Sequence, residues 1–131
     1  MQIVFLAAGK GSRIFNKIKI NKCLIKIKNK TLLSKLIETS PNNGVNKSIV
    51  TGFNSKLIIK KTKKYEINYI HNKYYKTTEM LFSMYLALKK YNDDFIFSYT
   101  DIIYDSQIIK KIIKTKPKNI TLPINLNWRQ A

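Results

Sequence analysis

At 131 residues the chain has room for one domain with a single core, and its 44% hydrophobic content is that of a folded protein rather than a disordered one. A formal net charge of +18 points by default to a polyanion partner such as nucleic acid or an anionic membrane. Only Arg13 and Arg129 are arginine, however, and the charge is spread along the chain as lysine in an Ile- and Asn-rich background. That pattern is what A/T-rich codon usage produces, and phosphate-backbone readers lean more on arginine. Nucleic acid is therefore not the expected partner, though the charge still draws in anionic nucleotides.

One cysteine, Cys23, rules out a disulfide framework and a paired-cysteine zinc site, and one histidine, His71, cannot build a metal cluster. No apolar run approaches the roughly 18 residues of a membrane span, and no signal peptide is recognisable, so a reducing cytoplasm is the expected location.

In chain order, Gln2-Ile3-Val4-Phe5 opens a buried strand that runs into Leu6-Ala7-Ala8-Gly9-Lys10-Gly11-Ser12-Arg13. Residues 15–21 show no helix pattern. Leu24 to Ile27 alternates weakly as a short strand, and Asn29-Lys30 reads as a turn. Thr31 is placed to cap a helix over Leu32 to Thr39, stopped by Pro41-Asn42-Asn43-Gly44. Lys47 to Thr51 is a second strand closed by Gly52. Asn54 caps a short helix through Lys61 with Leu57 and Ile58 inward, and Glu66 to Ile70 is a third strand.

A loop over residues 71–77 leads to a helix from Thr78 to Tyr91, whose Leu81, Met84, Tyr85 and Leu88 recur at helical spacing as its core face. Asp93-Asp94 turns into a fourth strand, Phe95 to Tyr99, ending at Thr100-Asp101. Asp105 caps a helix from Gln107 to Lys114, and Ile120 to Ile124 reads as a fifth strand marked as an edge by Pro123.

Strands alternating with helices predict an α/β fold, a mainly parallel sheet with helices on both faces. Ligands in such sheets bind beyond the C-terminal ends of strands, where the strand order reverses. The loop of residues 6–13 and Asp101 both lie at such ends. If the first and fourth strands are neighbours, Asp101 faces the loop, where a magnesium ion would bridge phosphate oxygens.

Gly9 and Gly11 allow a tight turn and close ligand approach, while Lys10, Ser12 and Arg13 add donors and charge. The stretch fits neither the dinucleotide fingerprint, since position 14 is Ile14, nor the P-loop. Taken alone, the short G-x-G-S pattern suits a ligand-free turn as well as a triphosphate cradle.

The longer pattern, Leu-Ala-Ala-Gly-x-Gly-Ser-Arg followed by Lys22-Cys23-Leu24, resembles the signature of the nucleotidyltransferases that activate sugar phosphates and phosphocholine, of MobA-like NTP transferase fold. The likeness continues through Asn46 to Phe53, through Asn72 to Met80 with the helix carrying Ser83, and through Phe97-Ser98-Tyr99-Thr100-Asp101-Ile102-Ile103-Tyr104. Asn127-Trp128-Arg129 resembles a segment of the phosphocholine-cytidylyltransferase-like branch.

The resemblance implies a Rossmann-like three-layer sandwich of the nucleotide-diphospho-sugar transferase type, with residues 1–131 forming the N-terminal nucleotide-binding part and the C-terminal part missing. It implies a magnesium-dependent enzyme that transfers a nucleoside monophosphate, CMP in the favoured branch, from CTP to a phosphocholine-like or sugar-phosphate acceptor with release of pyrophosphate. Arg13, Lys22 and Asp101 are the expected catalytic residues, with Asp101 the magnesium ligand. Leu6, Ala7, Ala8, Gly9, Lys10, Gly11, Ser12, Arg13, Thr78 and Ser83 are the expected nucleotide contacts.

Three departures stand out: Asn21 where the family has proline, Thr100 where it has glycine, and Glu79 where it has asparagine. With the short length, they keep open an inactive nucleotide-binding remnant. A basic nucleic-acid-binding module is the remaining alternative.

Overall fold

The computed structural model describes residues 1–115, 120–124 and 126. Four parallel strands form the central sheet in the order β5-β4-β1-β6: β1 is Gln2–Ala7, β4 is Asn46–Thr51, β5 is Asn68–His71 and β6 is Phe95–Tyr99. β1 lies between its two partners, with Gln2 opposite Asn46 on one side and opposite Phe95 on the other. The strand order therefore reverses at β1, and the crevice of such a sheet opens beyond its C-terminal end.

The run Ile3-Val4-Phe5 is fully buried because both of its faces are covered. Ile3 and Phe5 join Leu33, Leu36 and Ile37 of α2 (Leu32–Thr39), Ile58 of α3 (Ser55–Thr62) and Ile109 of α5 (Ser106–Thr115). Val4 and Val50 pack on the other face with Ala87 of α4 (Met80–Lys90). These are the three layers the alternation of elements predicts. Two caps also form as expected. Thr31 accepts a hydrogen bond from the Ser34 N–H (3.1 Å), and Asp105 from the Gln107 N–H (2.7 Å).

Several expectations are corrected. Residues 12–18 form a helix, α1 (Ser12–Ile18), although none of its residues is buried. Its ends are set by left-handed residues, Gly11 (φ 63°) at the start and Lys19 (φ 57°), whose N–H donates to the Phe15 carbonyl, at the close, and half-buried Phe15 packs edge-on against Phe53 (4.9 Å between ring centroids). The expected strand over Leu24 to Ile27 is a 3₁₀ turn, Lys22–Leu24, followed by a two-residue strand β2 (Lys26–Ile27) that pairs with β3 (Lys30–Thr31). β5 begins at Asn68, two residues later than expected, and takes in His71. Residues 120–124 form no strand and their side chains are exposed; the Trp128 segment lies outside the described residues.

Asn54 precedes α3, but its side chain makes no cap, and Leu57 faces solvent while Ile58 is buried. α4 begins at Met80, two residues after the expected start, and turns the opposite way to its apolar periodicity. Ser83 and Ala87 face the sheet, whereas Leu81 is 72% exposed and Tyr85 and Leu88 are about half exposed. Small residues let the helix lie close to Val4 and Val50, and the Ser83 hydroxyl accepts a hydrogen bond from buried Asn72 (3.2 Å).

Candidate functional site

Beyond β1 the chain forms the loop Ala8–Gly11. Glycine is favoured at Gly11 for two reasons. Its backbone is left-handed, and a Cβ there would lie 3.3 Å from the Lys22 Cβ. Gly9 has open space where a Cβ would stand. No backbone hydrogen bond ties the N–H groups of Gly9, Lys10 or Gly11 to the described residues, so these donors are available to a ligand.

The loop is braced from both sides. The Phe53 N–H donates to the Ala8 carbonyl (2.9 Å), and Thr100 Oγ1 donates to the Leu6 carbonyl (3.2 Å). Thr100 thus fastens the end of β6 to the start of the loop.

Opposite the loop, Lys22 and Asp101 form an ion pair. Asp101 stands just past β6, which the register sets beside β1, and Lys22 opens the 3₁₀ turn that follows α1. Leu6, Ala7, Gly9, Gly11, Lys22, Cys23, Tyr99, Thr100 and Asp101 enclose a cavity of about 160 Å³. A larger groove of about 780 Å³ lies between the 42–47 segment and residues 64–68, at the opposite end of the sheet, and lacks the glycine loop. The small cavity, where backbone donors, a cation and a carboxylate converge, has the chemistry of a phosphate site.

Cys23 lines the same cavity as a neutral group: burial pushes its thiol up to about 12. It behaves as the small buried hydrophobe expected of it.

Of the residues singled out from the sequence, Leu6, Ala7, Gly9, Gly11, Lys22 and Asp101 meet in the cavity. Ala8 is buried beneath the loop. Lys10 extends over the rings of Phe15 (5.0 Å) and Phe53 (5.6 Å), a cation–π arrangement outside the cavity wall. Ser12 and Arg13 occupy the exposed first turn of α1. Thr78 and Ser83 do not line the cavity. Both accept hydrogen bonds from the Asn72 carboxamide, which fastens the 72–78 segment to α4.

Two residues named in the sequence for other reasons support the cavity from outside it. Gly52 packs so tightly that a Cβ would lie 2.6 Å from the Ala8 carbonyl oxygen and from the Tyr75 Cβ. Asn21 is buried behind Lys22. A lone glycine at a strand end and an asparagine before a lysine carry no periodic signal that would mark either.

Comparison with known proteins places this arrangement. The family model of the MobA-like NTP transferase domain matches residues 3–127. The chain belongs to that family. It is 31% identical to a CTP:phosphoglutamine cytidylyltransferase of Campylobacter jejuni over 138 aligned positions, covering 98% of this chain and 54% of the relative. Among solved structures it resembles a nucleotidyl transferase from Methanothermobacter (TM-score 0.74, 16% identity, 86% of this chain and 56% of the other). It also resembles the CTP:phosphocholine cytidylyltransferase of Streptococcus pneumoniae (TM-score 0.66, 20% identity, 81% and 49%). The structural likenesses establish the fold, and the chain spans about half the length of the curated relative it matches.

The donor set around Asp101 suits magnesium in one respect. Magnesium keeps several waters and is commonly held by one or two carboxylates together with substrate phosphates. Asp101 supplies one carboxylate beside the loop, and no cluster of three or more His, Cys, Asp or Glu exists among the described residues. Among the described residues there is no protein-only cage for a metal; the single carboxylate of Asp101 beside the loop would suit a metal held jointly with substrate phosphates.

Proposed function

We propose that this chain is the nucleotide-binding part of a nucleotidyltransferase that moves CMP from CTP to a small phosphorylated acceptor. A phosphate oxygen of the acceptor attacks the α-phosphorus, the bond from that phosphorus to the bridging oxygen breaks, and pyrophosphate leaves. The observation that carries this reading is the meeting of the glycine loop, Lys22 and Asp101 around one cavity at the strand-order reversal. The choice of CTP is supported by two relatives whose names are those of cytidylyltransferases.

The acceptor is already a nucleophile, so the site needs no general base; it must position charges and neutralise them. The free N–H groups of the loop hold phosphate oxygens. Arg13, at the exposed start of α1, reaches the outer phosphates as a two-pronged donor. Lys22 stands between nucleotide and acceptor phosphate, where its ammonium offsets the charge that develops on transfer. When bound, magnesium held by Asp101 would neutralise and align the triphosphate. Without ligand, Lys22 and Asp101 satisfy each other; a magnesium–nucleotide complex gives each a better partner. The cavity has room for phosphates rather than for a whole nucleotide, so base and acceptor are held largely by surfaces outside it. A phosphocholine-like compound or a sugar phosphate is the acceptor class, and the single buried thiol suits a reducing cytoplasm.

Calorimetric titration of CTP, UTP, dTTP, ATP and GTP, each with magnesium, tests the proposal. The expected result is magnesium-dependent binding selective for CTP that disappears in Asp101→Ala. Absence of binding by folded protein overturns it, and salt-sensitive binding of DNA or RNA in its place would favour the basic nucleic-acid module.

A further inference from the structure

The 3₁₀ turn that presents Lys22 begins at Asn21, a residue only 2% exposed. Its carbonyl accepts the Leu24 N–H (2.8 Å) and so opens the turn, yet its carboxamide does not cap it. The carboxamide instead crosses to the turn between β4 and α3. Nδ2 donates to the Phe53 carbonyl (3.3 Å), and Oδ1 accepts from Asn54 Nδ2 (2.9 Å). Those partners are 32 and 33 residues away. The Phe53 N–H in turn donates to the Ala8 carbonyl (2.9 Å). A continuous path therefore links the Lys22 turn, through Asn21 and Phe53, to the glycine loop that faces Lys22 across the cavity.

A buried carboxamide left without partners is costly, so the turn is stable only where it meets Phe53 and Asn54. Asn54 is itself spent on this contact. It sits in the left-handed region (φ 52°) ahead of α3 and makes no cap with its side chain. Two asparagines that could each have served local backbone have been turned toward one another.

We infer that Asn21 is a positioning residue for Lys22: its carboxamide clamps the Lys22 turn against the β4–α3 turn and so holds the ammonium beside Asp101 and the loop. The importance of that placement for transfer rests on the function proposed above; the clamp itself does not.

The test separates the two. Lysines of the full chain are reductively methylated with ¹³C, which preserves their charge, and the Lys22 resonance is assigned by its loss in Lys22→Arg. Asp101→Asn marks where that resonance lies when the ion pair is broken. Asn21→Ala and Asn21→Pro are expected to move it toward the same position without any nucleotide present. The proline variant suits the Asn21 backbone (φ −58°), whose N–H makes no hydrogen bond to the described residues. Should both fail to fold, Asn54→Gly keeps the left-handed backbone, removes one side of the clamp and is expected to shift the resonance in the same direction.

In calorimetry, Asn21→Ala should weaken magnesium–CTP binding about tenfold, with little added by Lys22→Ala on top, as for residues acting as a unit. An unmoved Lys22 resonance in the folded variants, with unchanged nucleotide affinity and only a lower melting temperature, overturns the inference. A moved resonance in a chain that binds no nucleotide retains the clamp and overturns the proposed function.

Discussion

Gly52→Ala offers a sharp test of how the loop is braced. The added methyl would lie 2.6 Å from both the Ala8 carbonyl oxygen and the Tyr75 Cβ, and 2.9 Å from the Tyr75 Cγ. A flexible side chain could swing aside, but these contacts are a backbone oxygen and the stem of a ring, so the backbone itself must shift. Overpacking of this kind costs about 1–3 kcal/mol. Gly52 is not among the positive-φ glycines, so the cost is purely steric. The shift would also strain the hydrogen bond from the Phe53 N–H to the Ala8 carbonyl. Gly9→Ala is the control: nothing lies within 4 Å of its added methyl and its φ is not positive, so stability should stay within about 0.5 kcal/mol of the parent chain. Urea denaturation followed by circular dichroism resolves the difference as a drop in midpoint of roughly 1 M for Gly52→Ala at unchanged slope. Equal midpoints for the two variants would refute the close approach of Gly52 to the loop, and with it the bracing described here.

Ile58→Ala, which empties a fully buried site in the larger core cluster, should cost about 2–5 kcal/mol in the same assay, whereas Leu81→Ser on the outer face of α4 should stay within about 0.5 kcal/mol. Asn72→Ala, which leaves buried Ser83 without its donor and unties Thr78, should cost about 1–3 kcal/mol. Cys23 should resist iodoacetamide in the native protein between pH 7 and 9 and react once unfolded, because its folded-state value near 12 lies above the unfolded 9.0. By linkage, its contribution to stability is complete below pH 9 and declines as pH rises from 9 toward 12, which pH-dependent denaturation checks. Added sodium chloride should raise the melting temperature, since a net charge of +18 with three ion pairs among the described residues leaves mainly repulsion for salt to screen; a fall would show that attractive pairs dominate.

Much of the fold was legible because its strongest signals are local. Ile3-Val4-Phe5 reads as a strand covered on both faces, and Thr31 and Asp105 stand where caps belong. The placement of Asp101 near the loop follows from alternation of elements once β6 lies beside β1, which is how the strands pair. What escaped reading depends on partners distant in sequence. Periodicity says that Leu81, Met84, Tyr85 and Leu88 share a face; it cannot say that the sheet prefers the opposite one, where Ser83 and Ala87 allow close approach. α1 escaped because none of its residues is fully buried, its one aromatic contact is with Phe53 far along the chain, and its boundaries are set by left-handed residues at Gly11 and Lys19.

The same distinction explains which residues of the cavity stand out in the sequence. Lys22 and Asp101 carry charge, and charge beside a glycine-rich loop invites a phosphate reading directly. Asn21, Gly52 and Thr100 carry no such mark, yet each brings a separate segment to the loop: the Lys22 turn, the end of β4 and the end of β6. Thr100 acts through a single hydrogen bond. Its hydroxyl donates to the Leu6 carbonyl, the last residue but one of β1, and so ties the strand carrying Asp101 to the strand carrying the loop. At Asn21 the same logic holds. A proline would restrict the backbone by its ring alone, whereas the carboxamide reaches a second turn and makes the position of Lys22 depend on Phe53 and Asn54. The geometry of the cavity thus rests on uncharged residues around the loop as well as on the loop's own glycines.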